Sequence, residues 1–442
     1  MTRQQPPPLA LSAGDGSPRP RSPEAGASVV VAALLGNAIE FYDFVVYVFF
    51  AIQIGHAFFA TSSDVLAVLA SLAVFGAGFV ARPVGAIVLG RFADRHGRRP
   101  AMLLTIWLIT AATGAMALLP TYQQVGAIAS LLIVACRLLQ GFCFGGEVGP
   151  SIAFLAEVAP PDRRGLYCSG LFAGQGIAIL AAGALGTALA WALDKEQMQD
   201  WGWRVPFALA AAAAPFAVVL RRRMPETLPA PADETLAPRV DAGRVVVLSL
   251  AILGGTVAQY VCTYLPTYAS LVLRMEAVDA MSASILTGAG VFVFALLGGW
   301  AADRFDRRQL LLSSRLACGA MAVPLFFWLN GSPTPFALWS TAVLLTATNA
   351  FNGGALFGLM ADSFSPRRRA TSIAVVYAAG VALFGGSTPF VVAWLGRATG
   401  SPLAPGWYLA LTSALAFGAL WTLKTPTRSP GLATESHRPA GS

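Results

Sequence analysis

The stretch Gly90-Arg-Phe-Ala-Asp94-Arg-His-Gly-Arg98-Arg99 returns, little altered, as Gly299-Trp-Ala-Ala-Asp303-Arg-Phe-Asp-Arg307-Arg308, each time closing a long apolar run. A second pair echoes at comparable distances further on: Glu157-Val-Ala-Pro-Pro161-Asp-Arg163-Arg164-Gly165 and Asp362-Ser-Phe-Ser-Pro366-Arg-Arg368-Arg369-Ala370. Repeats at matched positions make one half of the chain a copy of the other. The runs they punctuate are about twenty residues long, the length a helix needs to cross a bilayer. Two duplicated bundles in a membrane suit a protein that rocks two halves about a central site, so the expected function is movement of a solute.

Composition leaves little alternative to lipid as the solvent. The 442 residues are 56% apolar and 12% charged, with mean hydropathy +0.64. An aqueous globule of ordinary composition does not bury that much hydrocarbon. Backbone amides in the bilayer core must be satisfied internally, and runs without strict alternation choose helices over a barrel. The expected fold is therefore all-α and integral to the membrane, with twelve transmembrane helices in two pseudo-symmetric six-helix bundles. Spans are predicted near residues 29–52, 65–89, 101–120, 125–149, 166–192, 204–221, 244–269, 280–301, 309–329, 334–360, 370–396 and 406–423. The expected division is a disordered cytoplasmic tail (1–27), an N-terminal bundle (28–221), a Pro-rich cytoplasmic linker (222–243), a C-terminal bundle (244–424) and a second cytoplasmic tail (425–442).

The formal charge of +8 is concentrated in the loops. Twenty-three Lys and Arg fall in the tails and even-numbered loops, against four, Lys195, Arg204, Arg274 and Arg397, on the other face. This bias places both termini in the cytoplasm and the chain in the cell (inner) membrane, with acidic lipid rather than nucleic acid as the macroscopic partner. The five cysteines have no metal-knuckle or redox spacing and read as small core residues. No phosphate-binding Gly-Lys-Ser/Thr loop, paired metal-ligand histidine or nucleophile motif is present, so neither an enzyme nor a resident cofactor or metal is expected. Length and topology permit a monomer.

Counting 1.5 Å per helical residue puts Glu40, Asp43, Arg82 and Arg137 close to the bilayer centre. Charges there are costly unless they share a wet cavity or a partner, so one polar chamber is expected around all four. Glu40 and Asp43, three residues apart, share a helix face, and two carboxylates that close resist joint ionisation, which suits one of them to carry a coupling proton. Arg82 and Arg137 present forked donors for a carboxylate substrate; permanent salt bridges with the two acids are the competing reading. Glu147, among glycines, either relays protons or pairs across a helix contact. Gln140, one turn after Arg137, is expected to orient it. The second half offers no midplane acid or base, and Gln259, Tyr260, Tyr264, Asn349, Asn352 and Tyr377 form its expected neutral wall. Arg315 is expected to snorkel to the cytoplasmic end of its helix.

The repeated basic motifs, Arg137-Leu-Leu-Gln140-Gly141 and the twelve-span plan resemble the major facilitator superfamily. Gly36-Asn-Ala-Ile-Glu40-Phe-Tyr-Asp43, Arg82-Pro83-Val-Gly85, Gly141-Phe-Cys-Phe-Gly145-Gly146-Glu147 and Trp201-Gly-Trp203-Arg204-Val-Pro206 narrow the resemblance to the metabolite:H+ symporter family. Tyr264-Leu-Pro266-Thr-Tyr268, Phe351-Asn352-Gly353-Gly354 and Phe384-Gly385-Gly386-Ser-Thr-Pro389 are most similar to its citrate and tricarballylate branch. The resemblance implies a proton-coupled symporter importing a di- or tricarboxylate by alternating access. A zwitterionic osmolyte or amino acid of the proline or betaine type is the alternative cargo, and Na+ the alternative coupling ion. It also implies a cytoplasmic gate made of Asp94, Arg95, Arg98, Arg99, Glu157, Arg164, Asp303, Arg307, Arg308, Asp362 and Arg368, whose acids meet a helix end and neighbouring arginines when that side is closed.

Overall fold

The computed structural model describes residues 23–60, 63–222, 242–364 and 369–422; the centre of the linker, Arg368, the expected C-terminal tail and residues 1–22 of the expected N-terminal tail lie outside them, while residues 23–27, expected to be disordered, open the first helix. Among the described residues the chain is helical, with no strand. The first rod is α1 (Pro23–Phe49) with α2 (Ala51–Phe58), bent by 72° at Phe50. The second is α3 (Asp64–Val80) with α4 (Arg82–His96), and the third α5 (Arg98–Leu118). A single turn, α6 (Tyr122–Val125), precedes α7 (Ala127–Val158), and α8 (Arg164–Ala192) follows. A short α9 (Lys195–Gln197) and a π-helical turn, Met198–Gly202, lead into α10 (Arg204–Arg222), the sixth rod. The second half is α11 (Ala242–Leu271), α12 (Ala277–Arg304), α13 (Arg307–Gly331), the pair α14 (Pro335–Ala350) and α15 (Gly353–Ser363), the pair α16 (Arg369–Phe384) and α17 (Thr388–Thr399), and α18 (Ala404–Thr422). Eight rods are long and apolar enough to span a membrane by length and composition alone, nine with the bent first rod. The α10 rod, the α16–α17 pair and α18 complete two sets of six by their packing.

The breaks have local causes. Pro83 cannot donate to a carbonyl four residues back, so the second rod interrupts at Ala81 and leaves Arg82 on the break. Gly385 and Gly386, followed by Pro389 in the first turn of α17, interrupt the eleventh rod in the same way. Close approach elsewhere needs glycine. A Cβ on Gly141 would overlap the Gly78 carbonyl, and one on Gly85 would overlap that of Phe142, so α7 lies backbone to backbone on α3 and α4. The bundles meet most extensively along α8 and α12, where a Cβ on Gly288 would strike the Leu180 backbone.

Two rods run further than their hydropathy suggests. α4 continues to His96 and α7 to Val158, so Asp94 and Glu157 occupy last helical turns rather than loops. The link between α4 and α5 is Gly97 alone, at φ 114°, a backbone conformation that favours glycine. Its counterpart in the second repeat is Asp306, at φ −63°, whose carboxylate accepts from the Gln309 N–H at 2.8 Å and caps α13. One link is solved by a flexible residue and the other by a capping one, which accounts for the difference between the two motifs.

Candidate functional site

Asp43 on α1, Arg137 and Gln140 on α7 and Thr113 on α5 are all buried and form one cluster. Gln140 Nε2 donates to Asp43 Oδ2 at 2.5 Å and to Thr113 Oγ1 at 3.1 Å. Arg137 Nη1 stands 3.8 Å from the same Asp43 oxygen, while its guanidinium lies over the Tyr47 ring at 3.7 Å. Asp43 Oδ1 has no hydrogen-bond partner. Gln140 therefore holds the acid and does not orient Arg137. The Glu40 side chain lies outside the described residues.

Arg82 stands apart from any carboxylate among the described residues. Its guanidinium carbon lies 3.6 Å from the Phe79 ring centroid and 4.5 Å from those of Phe44 and Phe144. Contacts of this type are each worth about 0.5–2 kcal/mol, yet none supplies a hydrogen-bond acceptor. Its nitrogens are buried, and the Tyr260 phenol is the one side-chain acceptor that approaches them among the described residues. The open chamber expected around the four charges is filled instead by these aromatic rings, because a stacked phenyl covers a guanidinium face without competing for its N–H groups. On the facing bundle, the Tyr260 and Tyr377 phenols are the groups whose electrostatics bear on Arg82.

Tyr260 and Tyr377 belong to a small cavity between the bundles, lined also by Gln259, Asn352, Gly255 and, from the first half, Gln175. Its volume of about 20 Å³ admits a water-sized group and nothing larger, so the centre is closed. Four of the six neutral residues expected in the second wall are there. Tyr264 is not: it lines a separate groove with Val68, Tyr268 and Arg397. Asn349 sits behind the cavity and accepts from Arg315 Nη2 through Oδ1 at 2.8 Å. Arg315 is 1% exposed, eight residues or about 12 Å into α13, and does not snorkel. Its aliphatic stem packs beside Gly254. The second half thus holds a buried base after all, signalled in the sequence only by an arginine inside an apolar run. Gln175 had the similar signal of one amide in a glycine-rich run.

Glu147 is paired. Arg221 Nη2 donates to Glu147 Oε1 at 2.6 Å and Arg221 Nη1 to the Met102 carbonyl at 2.6 Å. Arg221, the last residue of the sixth expected span, is buried in the last turn of α10 against Gly36. Hydropathy ends the span at such a residue, whereas the helix carries it inward to an acid.

On the face bearing the repeated motifs, each motif acid caps a helix of the opposite bundle. Asp94 Oδ2 accepts from the Thr371 N–H at 3.1 Å and from the Thr371 hydroxyl, at the start of α16, and Oδ1 pairs with Arg98. Asp303 accepts from the Gly165 and Leu166 N–H groups at 2.6 and 2.9 Å, at the start of α8. A carboxylate at a helix N-terminus satisfies orphan donors and complements the dipole. Glu157 lies between Arg98 (3.5 Å) and Arg369 (3.7 Å), and Asp362 joins Arg164 (3.0 Å) to Arg307 (2.7 Å). Arg95 is exposed and outside this network, and Arg99 is half-buried beside it. Arg308 donates instead to the Leu420 and Trp421 carbonyls at the end of α18. This face is sealed, while the opposite face opens into a vestibule of about 1370 Å³ lined by Gln53, His56, Asp64, Lys195 and Arg274 among others.

Residues 29–382 match the model of the Major Facilitator Superfamily. The chain belongs to that superfamily. The citrate-proton symporter of Klebsiella pneumoniae is 33% identical over 86% of this chain and 87% of its own length. The alpha-ketoglutarate permease of Escherichia coli (strain K12) is 33% identical over 88% and 91%. A putative proline/betaine transporter of Staphylococcus haemolyticus is 29% identical over 91% and 88%. Among solved structures, the partially occluded inward-open xylose transporter XylE from E. coli superposes with a TM-score of 0.75 at 20% identity, covering 92% of this chain and 100% of that one. The last is a likeness of fold. The superfamily assignment makes this a multi-pass membrane protein built on the major facilitator fold, as the duplicated motifs imply.

Proposed function

We propose that the protein is a proton-coupled symporter that imports a small organic acid, a di- or tricarboxylate of the citrate kind, by alternating access between its two bundles. The observation that carries the reading is Arg82, a buried cation with no carboxylate beside it among the described residues, set among aromatic rings and facing the Tyr260 and Tyr377 phenols of the second bundle. A guanidinium is retained in such a place when an anion completes it, and a carboxylate fits its fork. The relatives named for citrate and alpha-ketoglutarate support the same class.

In this reading the basic face is cytoplasmic, both termini lie on that side of the inner membrane, and the protein works as a monomer. Asp43, with Glu40 on the same helix, carries the proton. Protonation loosens the Asp43 hold on Arg137 and frees a second guanidinium for substrate. The bond between Glu147 and Arg221 favours the pairing role for Glu147. Asp94, Arg98, Arg99, Glu157, Arg164, Asp303, Arg307 and Asp362 form the cytoplasmic gate, whose capping bonds break together when that side opens, since a network of screened pairs switches where a single pair does not. Arg95 and Arg308 lie at its margin. H+ is taken as the coupling ion over Na+.

Purified protein in liposomes, with the outside made acid, tests this against citrate, tricarballylate, 2-oxoglutarate, shikimate, proline and betaine. Expected are accumulation of a carboxylate, acidification of the lumen as it enters, and loss of uptake by roughly a hundredfold in Arg82→Ala, the scale for a lost charged contact in a buried site. Uptake of proline or betaine alone, or uptake indifferent to the pH gradient, overturns it. The zwitterion reading is the weaker because the aromatic faces a quaternary ammonium would need, Phe79, Phe44 and Phe144, are already covered by Arg82.

A further inference from the structure

The two sides of the bundle interface are not alike. Along α8 and α12 the backbones touch, and a Cβ on Gly176, Gly183 or Gly288 would strike the facing helix. On the other side α3 meets α16 and α17 far less extensively. There a groove of about 410 Å³ lies between the bundles, with Val65, Val68 and Leu69 of α3 on one wall and Val272, Val392 and Ala393 of the second half on the other.

Helix direction fixes its depth. α3 begins, and α11 and α17 end, at the face opposite the Asp94 and Asp303 caps, so the groove lies near that membrane surface. Trp191, Trp394 and Trp407, each at least half exposed, stand near helix ends on the same face. Exposed tryptophans mark the headgroup layer. Arg397, in the last turn of α17, is the one charged residue of the lining and one of the four Lys and Arg that the sequence puts on this face. Exposed, it has no hydrogen bond or ion pair among the described residues. The Tyr268 hydroxyl, 2.8 Å from both Asn330 Oδ1 and the Pro402 carbonyl, has its one proton committed within the protein.

A molecule that fits therefore brings a long apolar part to the valine walls and an anionic group to headgroup depth. A free anion would meet a single exposed arginine and gain little, whereas burial of an acyl chain adds to the contact. We propose that this groove is a binding site for an anionic phospholipid, with one acyl chain between α3 and α17 and the phosphate on Arg397. The lipid then acts as a wedge. Closing this face brings α3 toward α17 and removes the groove, so a lipid held there stabilises the state in which the vestibule is open and the gates are capped. The site is independent of what is carried.

Native mass spectrometry of the delipidated full chain tests it, with phosphatidylglycerol and phosphatidylcholine of identical acyl chains added back separately. The first phosphatidylglycerol is expected to bind at a concentration roughly fivefold below the first phosphatidylcholine, the preference that one basic residue gives at a headgroup surface. In Arg397→Gln the two should agree to within about twofold, and Arg397→Lys should keep the preference. Gly396→Phe fills the groove and leaves the charge, since a Cβ on Gly396 meets only the Ser401 carbonyl at 3.9 Å. It should weaken both lipids roughly fivefold. Maleimide labelling of Cys168, buried beside the gate acids and read by peptide mass spectrometry, should slow about twofold or more when phosphatidylglycerol replaces phosphatidylcholine, but not in Arg397→Gln. Equal binding of the two lipids by the parent, a preference that survives Arg397→Gln, or binding undiminished in Gly396→Phe overturns the site. So does a spectrum of dimers that take up no lipid, which would make the groove a contact between copies. Selective binding with Cys168 labelling unchanged overturns the wedge.

Discussion

Two buried arginines reach matching glycines in the two halves from rods that are not equivalent, and end differently. Leu35-Gly36 on α1 and Leu253-Gly254 on α11 open the same apolar pattern, and each glycine receives an arginine side chain, Arg221 in the first half and Arg315 in the second. Arg221 meets Glu147 at 2.6 Å; Arg315 meets the neutral Asn349 at 2.8 Å. The gates show the opposite tendency, since Asp94 and Asp303 each cap a helix of the other bundle. Duplication has been kept where two halves must close on each other and relaxed where a solute has to fit between them. A matched charge stabilises a bundle, whereas an unmatched one leaves work for a ligand.

The largest effect that tests this contrast is in Glu147→Gln. Removing the carboxylate from a buried ion pair costs about 3 kcal/mol or more, whereas Asn349→Ala removes a neutral acceptor and should cost about 1–2 kcal/mol. Thermal unfolding of the two variants in the same detergent compares them. Equal losses would mean that the second arginine is locked as firmly as the first.

A smaller effect concerns the gates. Asp94→Asn and Asp303→Asn each weaken charge-assisted caps worth about 1–2 kcal/mol, a factor of roughly 5–30 in the closed population. Cys168, buried next to Asp303, Arg307 and Asp362, reports that opening. In a variant with the other four cysteines removed, maleimide labelling of Cys168 should rise in both mutants to a similar extent. A rise in only one would show that the closure is carried by one half.

The smallest is Arg95→Gln. Exposed and outside the ion-pair network, Arg95 should contribute no more than about 0.5 kcal/mol, while Arg98→Gln, two charges from the same motif, should disrupt closure strongly. Labelling of Cys168 separates the two, and a large effect at Arg95 would redraw the gate.

Much of the site was legible in the residues. Duplicated motifs located Asp94, Asp303, Glu157 and Asp362, and a depth ruler found Asp43, Arg82 and Arg137, because a charge inside hydrocarbon is conspicuous against its neighbours. Polar type alone led to Gln259, Tyr260, Asn352 and Tyr377, and to Tyr264, which lines a different groove; a tyrosine one helical turn further along carries the same composition about 6 Å away along the helix. Arg315 was misplaced for a physical reason. Hydropathy treats an arginine near a span end as a terminus, and whether it snorkels outward or turns inward depends on what the neighbouring helices offer it.

Sequence by itself determined the membrane, the helices and the duplication, since these follow from hydrocarbon solvation, from the length of a spanning helix and from repeated motifs. Tertiary structure alone decided which charges are matched: Arg137 with Asp43, Arg221 with Glu147, and Arg82 and Arg315 with no acid among the described residues. Pairing depends on azimuth and on distances of a few ångströms between helices far apart in the chain, and one-dimensional order carries neither.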